Sequence, residues 1–145
     1  MAADHAGYPL KETLKADLAA RGLEVLDLGT NSADSVDYPD FAAKLASAIK
    51  DGRAGRGVLI CGTGIGISIA ANRYSHIRAA VCSEPVAARL ARQHNDANVL
   101  ALGARLIGPE VARECLTVFL DTAFEGGGRH SARVAKLGGA PVPSH

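Results

Sequence analysis

Short apolar runs alternate with helical periods along the whole chain. Leu10, Leu14 and Leu18 recur every four residues, which predicts a helix over about Pro9–Arg21 that Gly22 ends. Leu23-Glu-Val-Leu-Asp-Leu28 reads as a strand closed by Gly29. Asp37-Tyr-Pro39 opens a second helix with the apolar stripe Phe41, Leu45 and Ile49, beside Ala42 and Ala46. Gly57-Val-Leu-Ile-Cys61 is wholly apolar, as a buried parallel strand would be. The turn Gly62-Thr-Gly-Ile-Gly66 follows, then a small-residue helix over Ile67–Arg73. Ile77–Cys82 and Asn98–Leu102 are two further strands. Between them a helix runs from Glu84-Pro85 to His94. Pro109 starts the longest helix, with Val111, Cys115, Val118 and Phe119 on one face. A very short strand at Met1-Ala-Ala3 makes a fifth.

Strands separated by helices of this length imply a parallel sheet covered on both faces. The expected fold is α/β, a three-layer α/β/α arrangement with a Rossmann-like, doubly wound sheet of about five strands. The 145 residues suit one domain. Only 4% of them are aromatic while 48% are hydrophobic, so the core must be built from Ala, Val, Leu and Ile.

The net charge of +1 argues against bulk nucleic-acid binding and against a polybasic membrane patch. No run approaches the ~20 apolar residues of a membrane span. Cys61, Cys82 and Cys115 form no C-x-x-C pair, and the first residues do not read as a signal peptide, so a cytoplasmic location is expected. None of the five histidines stands at metal-ligand spacing from another, so no metal and no cofactor is expected.

In an open parallel sheet, ligands bind beyond the carboxyl ends of the strands. Three polar clusters fall there: Asp4-His5, Cys61–Gly66 and Ser83-Glu84. The glycine turn leaves backbone N–H groups free to face an anion, although a tight turn without ligand would look similar. It is not a P-loop, and it misses G-x-G-x-x-G by one position. With Glu84 in the place of a ribose clamp, a nucleotide-binding regulatory domain is the alternative. Cys61 at the strand end is placed for a stabilised thiolate, against the commoner case of a packing cysteine. Packing is the expectation for Cys82 and Cys115. His94 near a helix end is equally a capping residue. Arg129 and Arg133, four apart, could clamp a phosphate from one helix face or form a solvated basic face.

Together, several segments resemble one family. They are Asp4-His-Ala-Gly7, Asp37-Tyr-Pro39, Cys61-Gly-Thr-Gly-Ile-Gly-Ile-Ser-Ile-Ala-Ala-Asn72, Arg78-Ala-Ala-Val-Cys-Ser-Glu84, Arg92-Gln-His-Asn-Asp96, Asn98-Val-Leu-Ala-Leu-Gly103 and Arg129-His130. The chain is similar to the type-B ribose-5-phosphate isomerases of the ribose/galactose isomerase family. The likeness implies one isomerase domain over residues 1–137, followed by a tail over 138–145. It implies metal-free interconversion of D-ribose 5-phosphate and D-ribulose 5-phosphate through an enediol. The same family includes enzymes for six-carbon 6-phosphates such as those of allose or galactose. By resemblance, Cys61 is the base and His94 the ring-opening acid. Thr63 helps a hydroxyl proton move, and Asp4 orients sugar hydroxyls. Gly62, Gly64, Ile65 and Gly66 hold the developing oxyanion. His5, Arg129 and Arg133 bind the phosphate, with Arg105 and Asn95 nearby and Tyr38 lining the pocket. The expected assembly is a homodimer or a dimer of dimers, with each site shared between two chains.

Overall fold

The apolar run over Gly57–Cys61 is buried at every position because it is covered on both sides. It is the second strand (β2) of a four-stranded, all-parallel sheet in this computed structural model, which describes residues 1–138. The others are β1 (Ala2–Ala3), β3 (Ala79–Val81) and β4 (Val99–Gly103), in the spatial order β1-β2-β4-β3. β2 and β4 pair from Gly57↔Val99 to Cys61↔Gly103. Among the described residues there are six helices: α1 (Tyr8–Ala20), α2 (Tyr38–Lys50), α3 (Ile65–Ala71), α4 (Pro85–Asn95), α5 (Pro109–Asp121) and α6 (Gly128–Leu137).

Side chains alternate across a strand, and this divides the core in two. Val58, Ile60, Leu100 and Leu102 meet Leu14 and Leu18 of α1, Ala88 and Ala91 of α4, and Cys115 and Phe119 of α5. Leu59, Cys61, Val99 and Ala101 meet Phe41, Ala42 and Leu45 of α2 and Ile67 of α3. Helices therefore cover both faces in the expected three-layer arrangement. Each face has one buried phenylalanine, Phe41 or Phe119, among small aliphatic residues.

The predicted strand Leu23–Leu28 is not one. The segment does lie along β1, with the Leu28 N–H bonded to the Met1 carbonyl at 2.9 Å and the Thr30 N–H to the Ala3 carbonyl at 2.8 Å. A regular parallel ladder would next bond the Ala3 N–H to Leu28. It bonds Gly29 instead, at 2.8 Å, and Gly29 has φ +93°. The bonds on either side keep one register, and the ladder is broken only between them, along a β1 of two residues. The sheet thus has four strands rather than about five. The other differences are smaller. β3 keeps only the middle of Ile77–Cys82, and α3 begins at Ile65 rather than Ile67. The segment after the three glycines forms α6, which buries no side chain and rests on α4. Of the expected tail, residues 139–145 lie outside the described residues.

A buried charge cluster holds α1 against the Asp27–Gly29 segment. Lys11, fully buried, donates to both Asp27 oxygens at 2.8 Å, and Lys15 adds a bond of 2.8 Å. Burial opposes ionisation of Asp27. The bonds from Lys11, Lys15 and the Gly29 N–H outweigh it and hold the carboxyl far below its ordinary range. Among the described residues no helix is long and apolar enough to cross a membrane.

Candidate active site

The carboxyl ends of β1, β2 and β4 converge on one edge of the sheet. After β1, the Asp4 side chain is buried and accepts the Gly7 N–H at 3.0 Å, while the Asp4 N–H donates to the Ile60 carbonyl at 3.2 Å. These bonds fix the loop carrying His5. The Val36 N–H donates to His5 Nδ1 at 3.1 Å. A neutral His5 ring therefore carries its proton on Nε2, the nitrogen left free to donate.

β2 ends in Cys61, of which 4% is exposed. The Gly64 N–H donates to its Sγ at 3.1 Å. Gly64 has φ +77°, and a Cβ there would lie 2.9 Å from the Leu102 carbonyl carbon. Only glycine turns the chain this way in this space. Thr63 Oγ1 accepts the Ile65 N–H at 3.1 Å and sits beside the same turn. Tyr38, at the start of α2, packs against Gly66 so closely that a Cβ there would be 2.7 Å from the ring Cζ. After β4, the Arg105 N–H donates to the Gly62 carbonyl at 2.9 Å. Its guanidinium lies over Gly62, with one nitrogen 3.3 Å from where a Cβ would be. Asp4, His5, Tyr38, Cys61, Thr63, Arg105 and the glycine turn thus come together in one chain.

The other expected residues do not join them. α4 starts beyond the carboxyl end of β3 and runs back, so that the Asn98 carbonyl just after it accepts the Gly57 N–H at the start of β2. His94 and Asn95 therefore lie at the amino edge of the sheet, one strand length from Cys61, or roughly 13 Å along β2. α6 brings Arg129, His130 and Arg133 to the same edge. The His130 ring stacks on His94, with centroids 4.5 Å apart and planes 6° from parallel. Desolvation lowers the His130 pKa from its ordinary value, and His94 and Arg129 add to the effect. Arg129 and Arg133 are both exposed. Asn95 lines a groove of about 410 Å³ with Asn72, Ile77, Arg78, Ala97 and Leu137.

Sequence reasoning missed what holds this second group. Arg92 is buried and bonds Asp96 at 2.8 Å, the Ala97 carbonyl at 2.6 Å and the Thr122 carbonyl at 3.1 Å. It also missed Glu125, whose N–H bonds the Gln93 carbonyl at 3.0 Å. One donor atom each from His94, Glu125 and His130 lies within 4.8 Å of the others, a grouping that could hold a metal ion. The glycine run between Glu125 and His130 concealed that proximity.

The remaining titratable groups divide by environment. Burial pushes the Cys82 thiol up to about 12 and the Cys115 thiol up to about 11. Both stay protonated at neutral pH. Both Glu84 oxygens accept N–H groups of α4, from Val86 and Ala87. They act as a helix cap and are not free to hold a ribose.

The sequence profile described as Ribose/Galactose Isomerase matches residues 1–137. The chain belongs to that family. It is 52% identical to ribose-5-phosphate isomerase B of Escherichia coli K12, over 92% of this chain and 89% of that one. It is 48% identical to a D-erythrulose-4-phosphate isomerase of Pectobacterium atrosepticum, over 94% and 90%. The structure of Clostridium thermocellum ribose-5-phosphate isomerase B superposes with a TM-score of 0.92 at 52% identity, covering 94% of this chain and 92% of that one. The chain is thus an isomerase, with the ribose/galactose isomerase fold. A single chain places Cys61 at one edge of its sheet and His94 with the arginine pair at the other.

Proposed function

We propose that this sugar-phosphate isomerase interconverts D-ribose 5-phosphate and D-ribulose 5-phosphate, with Cys61 as the base. The observation that carries the reading is the Gly64 N–H on the Cys61 sulfur at the head of the glycine turn. That bond fixes the sulfur beside the N–H groups of the turn, where proton transfer between C1 and C2 needs its base.

The open-chain aldose presents C1 and C2 to Sγ. The Cys61 thiolate takes the proton from C2 as negative charge moves to the carbonyl oxygen on C1. Backbone N–H groups of Gly62–Gly66 stabilise that charge as it develops. Thr63 relays a hydroxyl proton between the two oxygens, and the Cys61 thiol returns the carbon-bound proton at C1 to give the ketose. Asp4 orients the sugar hydroxyls. His5 donates from Nε2 to the phosphate. The proton transfer asks for one base and fixed donors, which these residues supply without a metal.

His94, Asn95, Arg129 and Arg133 serve the pocket of a second copy of the chain. There His94 donates the proton that opens the furanose ring, and the arginine pair clamps the phosphate. Ile65 and Ile69, one turn apart on α3, are more than half exposed, with Tyr38 and Tyr74 partly exposed. An apolar face of this kind beside the pocket supports a dimer interface.

The four-carbon substrate in the name of the Pectobacterium relative favours testing a second substrate. The decisive assay sets ribose 5-phosphate beside erythrulose 4-phosphate, allose 6-phosphate and galactose 6-phosphate, with chelator present. Ribose 5-phosphate is expected to turn over fastest. Absence of turnover on all four would sink the isomerase reading, and loss of turnover on adding chelator would sink the metal-free mechanism. Nucleotide affinity without isomerisation would favour a binding domain instead.

A further inference from the structure

The cluster of His94, Glu125 and His130 has a feature that ring opening does not need. Three donors of the kinds that ligate transition metals converge from three places in the chain: the end of α4, the α5–α6 connection and the first turn of α6. We propose that these three residues form a divalent transition-metal site whose occupation takes His94 out of catalysis. This rests on the role given to His94 above.

The geometry is close to what such an ion requires. Tetrahedral zinc with bonds of about 2.0–2.2 Å places its donors about 3.3 Å apart. The three donor atoms lie within 4.8 Å of one another, so inward movements of about 1 Å complete the set. The histidine rings stack nearly parallel with centroids 4.5 Å apart, so both must unstack and tilt for their nitrogens to face one ion. Glu125 is held at its backbone by the Gln93 carbonyl, one residue before His94. The next residues are also tied, because the Gly127 N–H donates to Ser131 Oγ at 2.7 Å. Two imidazoles and one carboxylate leave the fourth position to water. Such a donor set selects Zn²⁺, Co²⁺ or Ni²⁺ over Mg²⁺. The neighbouring Arg129 and Arg133 oppose a cation, so the site binds reversibly rather than as a permanent structural centre. A metal-bound imidazole nitrogen has no proton to give, and sugar opened at that ring would then stall.

The test uses the intact protein and two probes, Co²⁺ and Zn²⁺. Co²⁺ should raise the visible bands of a tetrahedral site at one ion per chain, without any substrate present. Glu125→Gln and His130→Asn should each weaken that binding at least about tenfold. In the isomerase assay, Zn²⁺ should inhibit the wild type, and chelator should restore it. Glu125→Gln should keep its metal-free turnover and need about tenfold more Zn²⁺ for equal inhibition. The proposal is overturned if the cobalt bands survive Glu125→Gln, or if Zn²⁺ sensitivity is the same in both proteins. Cobalt–sulfur absorption that disappears in Cys61→Ala would also overturn it, by placing the metal on the thiol. A protein inactive on every sugar phosphate, yet showing cobalt bands that depend on Glu125, would remove the isomerase reading and leave the metal site standing.

Discussion

The Gly64 N–H points at the Cys61 sulfur from 3.1 Å, inside a turn that only glycine at position 64 can make. Replacing the sulfur should remove the base while leaving the pocket walls in place. Cys61→Ala is expected to lower kcat by about 10³-fold, with KM changed little. Steady-state assay, with phosphate-ligand binding measured beside it, checks this. Full activity in the variant would end the assignment.

Gly64→Ala tests the turn rather than the thiol. A side chain at φ +77° that also meets the Leu102 carbonyl carbon at 2.9 Å must shift the turn. The expected cost is about 1–3 kcal/mol, read from the urea midpoint. The displaced N–H should also reduce kcat well beyond what the loss of stability explains.

The separation of His94 from Cys61 predicts complementation. Cys61→Ala and His94→Asn should each be inactive alone. After mixing and subunit exchange, half of the dimers are mixed, and each mixed dimer holds one site with both groups intact. About one quarter of wild-type activity should return. No recovery would mean that one chain supplies both groups to its own site.

The Lys11–Asp27 pair predicts an acid limit to stability. The Asp27 carboxyl is held below its ordinary value, so its contribution is fully present above about pH 4. It declines as pH falls toward the lower value in the folded protein. Urea midpoints from pH 7 down to pH 3 should fall more steeply for the wild type than for Asp27→Asn. At pH 7 the variant should lose up to about 3 kcal/mol, because it leaves the Lys11 ammonium buried with only Glu12 as partner.

Sequence was informative where the relevant contacts are local or repeat strongly. β2 and β4 were legible because burial on both faces makes their residues uniformly apolar. The pocket of Cys61, Thr63 and Gly64 was legible because it forms within four residues. Leu23–Leu28 had the pattern of a strand, yet its pairing depends on how much of β1 faces it and on the irregular bond at Gly29. α6 was hidden by Gly126–Gly128, and the proximity of Glu125 to His94 with it. The distance between Cys61 and His94 was not legible either, since it follows from the direction of α4 relative to the sheet. That direction is a property of topology and leaves no mark on either residue.

Cys61 faces the α2–α3 side of the sheet because it stands an even number of residues from Leu59 and an odd number from Ile60. Loss or gain of a single residue within Gly57–Cys61 would carry the thiol to the opposite face, among Leu14, Cys115 and Phe119. The strand can therefore change length only in steps of two if the reactive atom is to keep its surroundings. Parity, as much as residue identity, fixes where this protein can do chemistry.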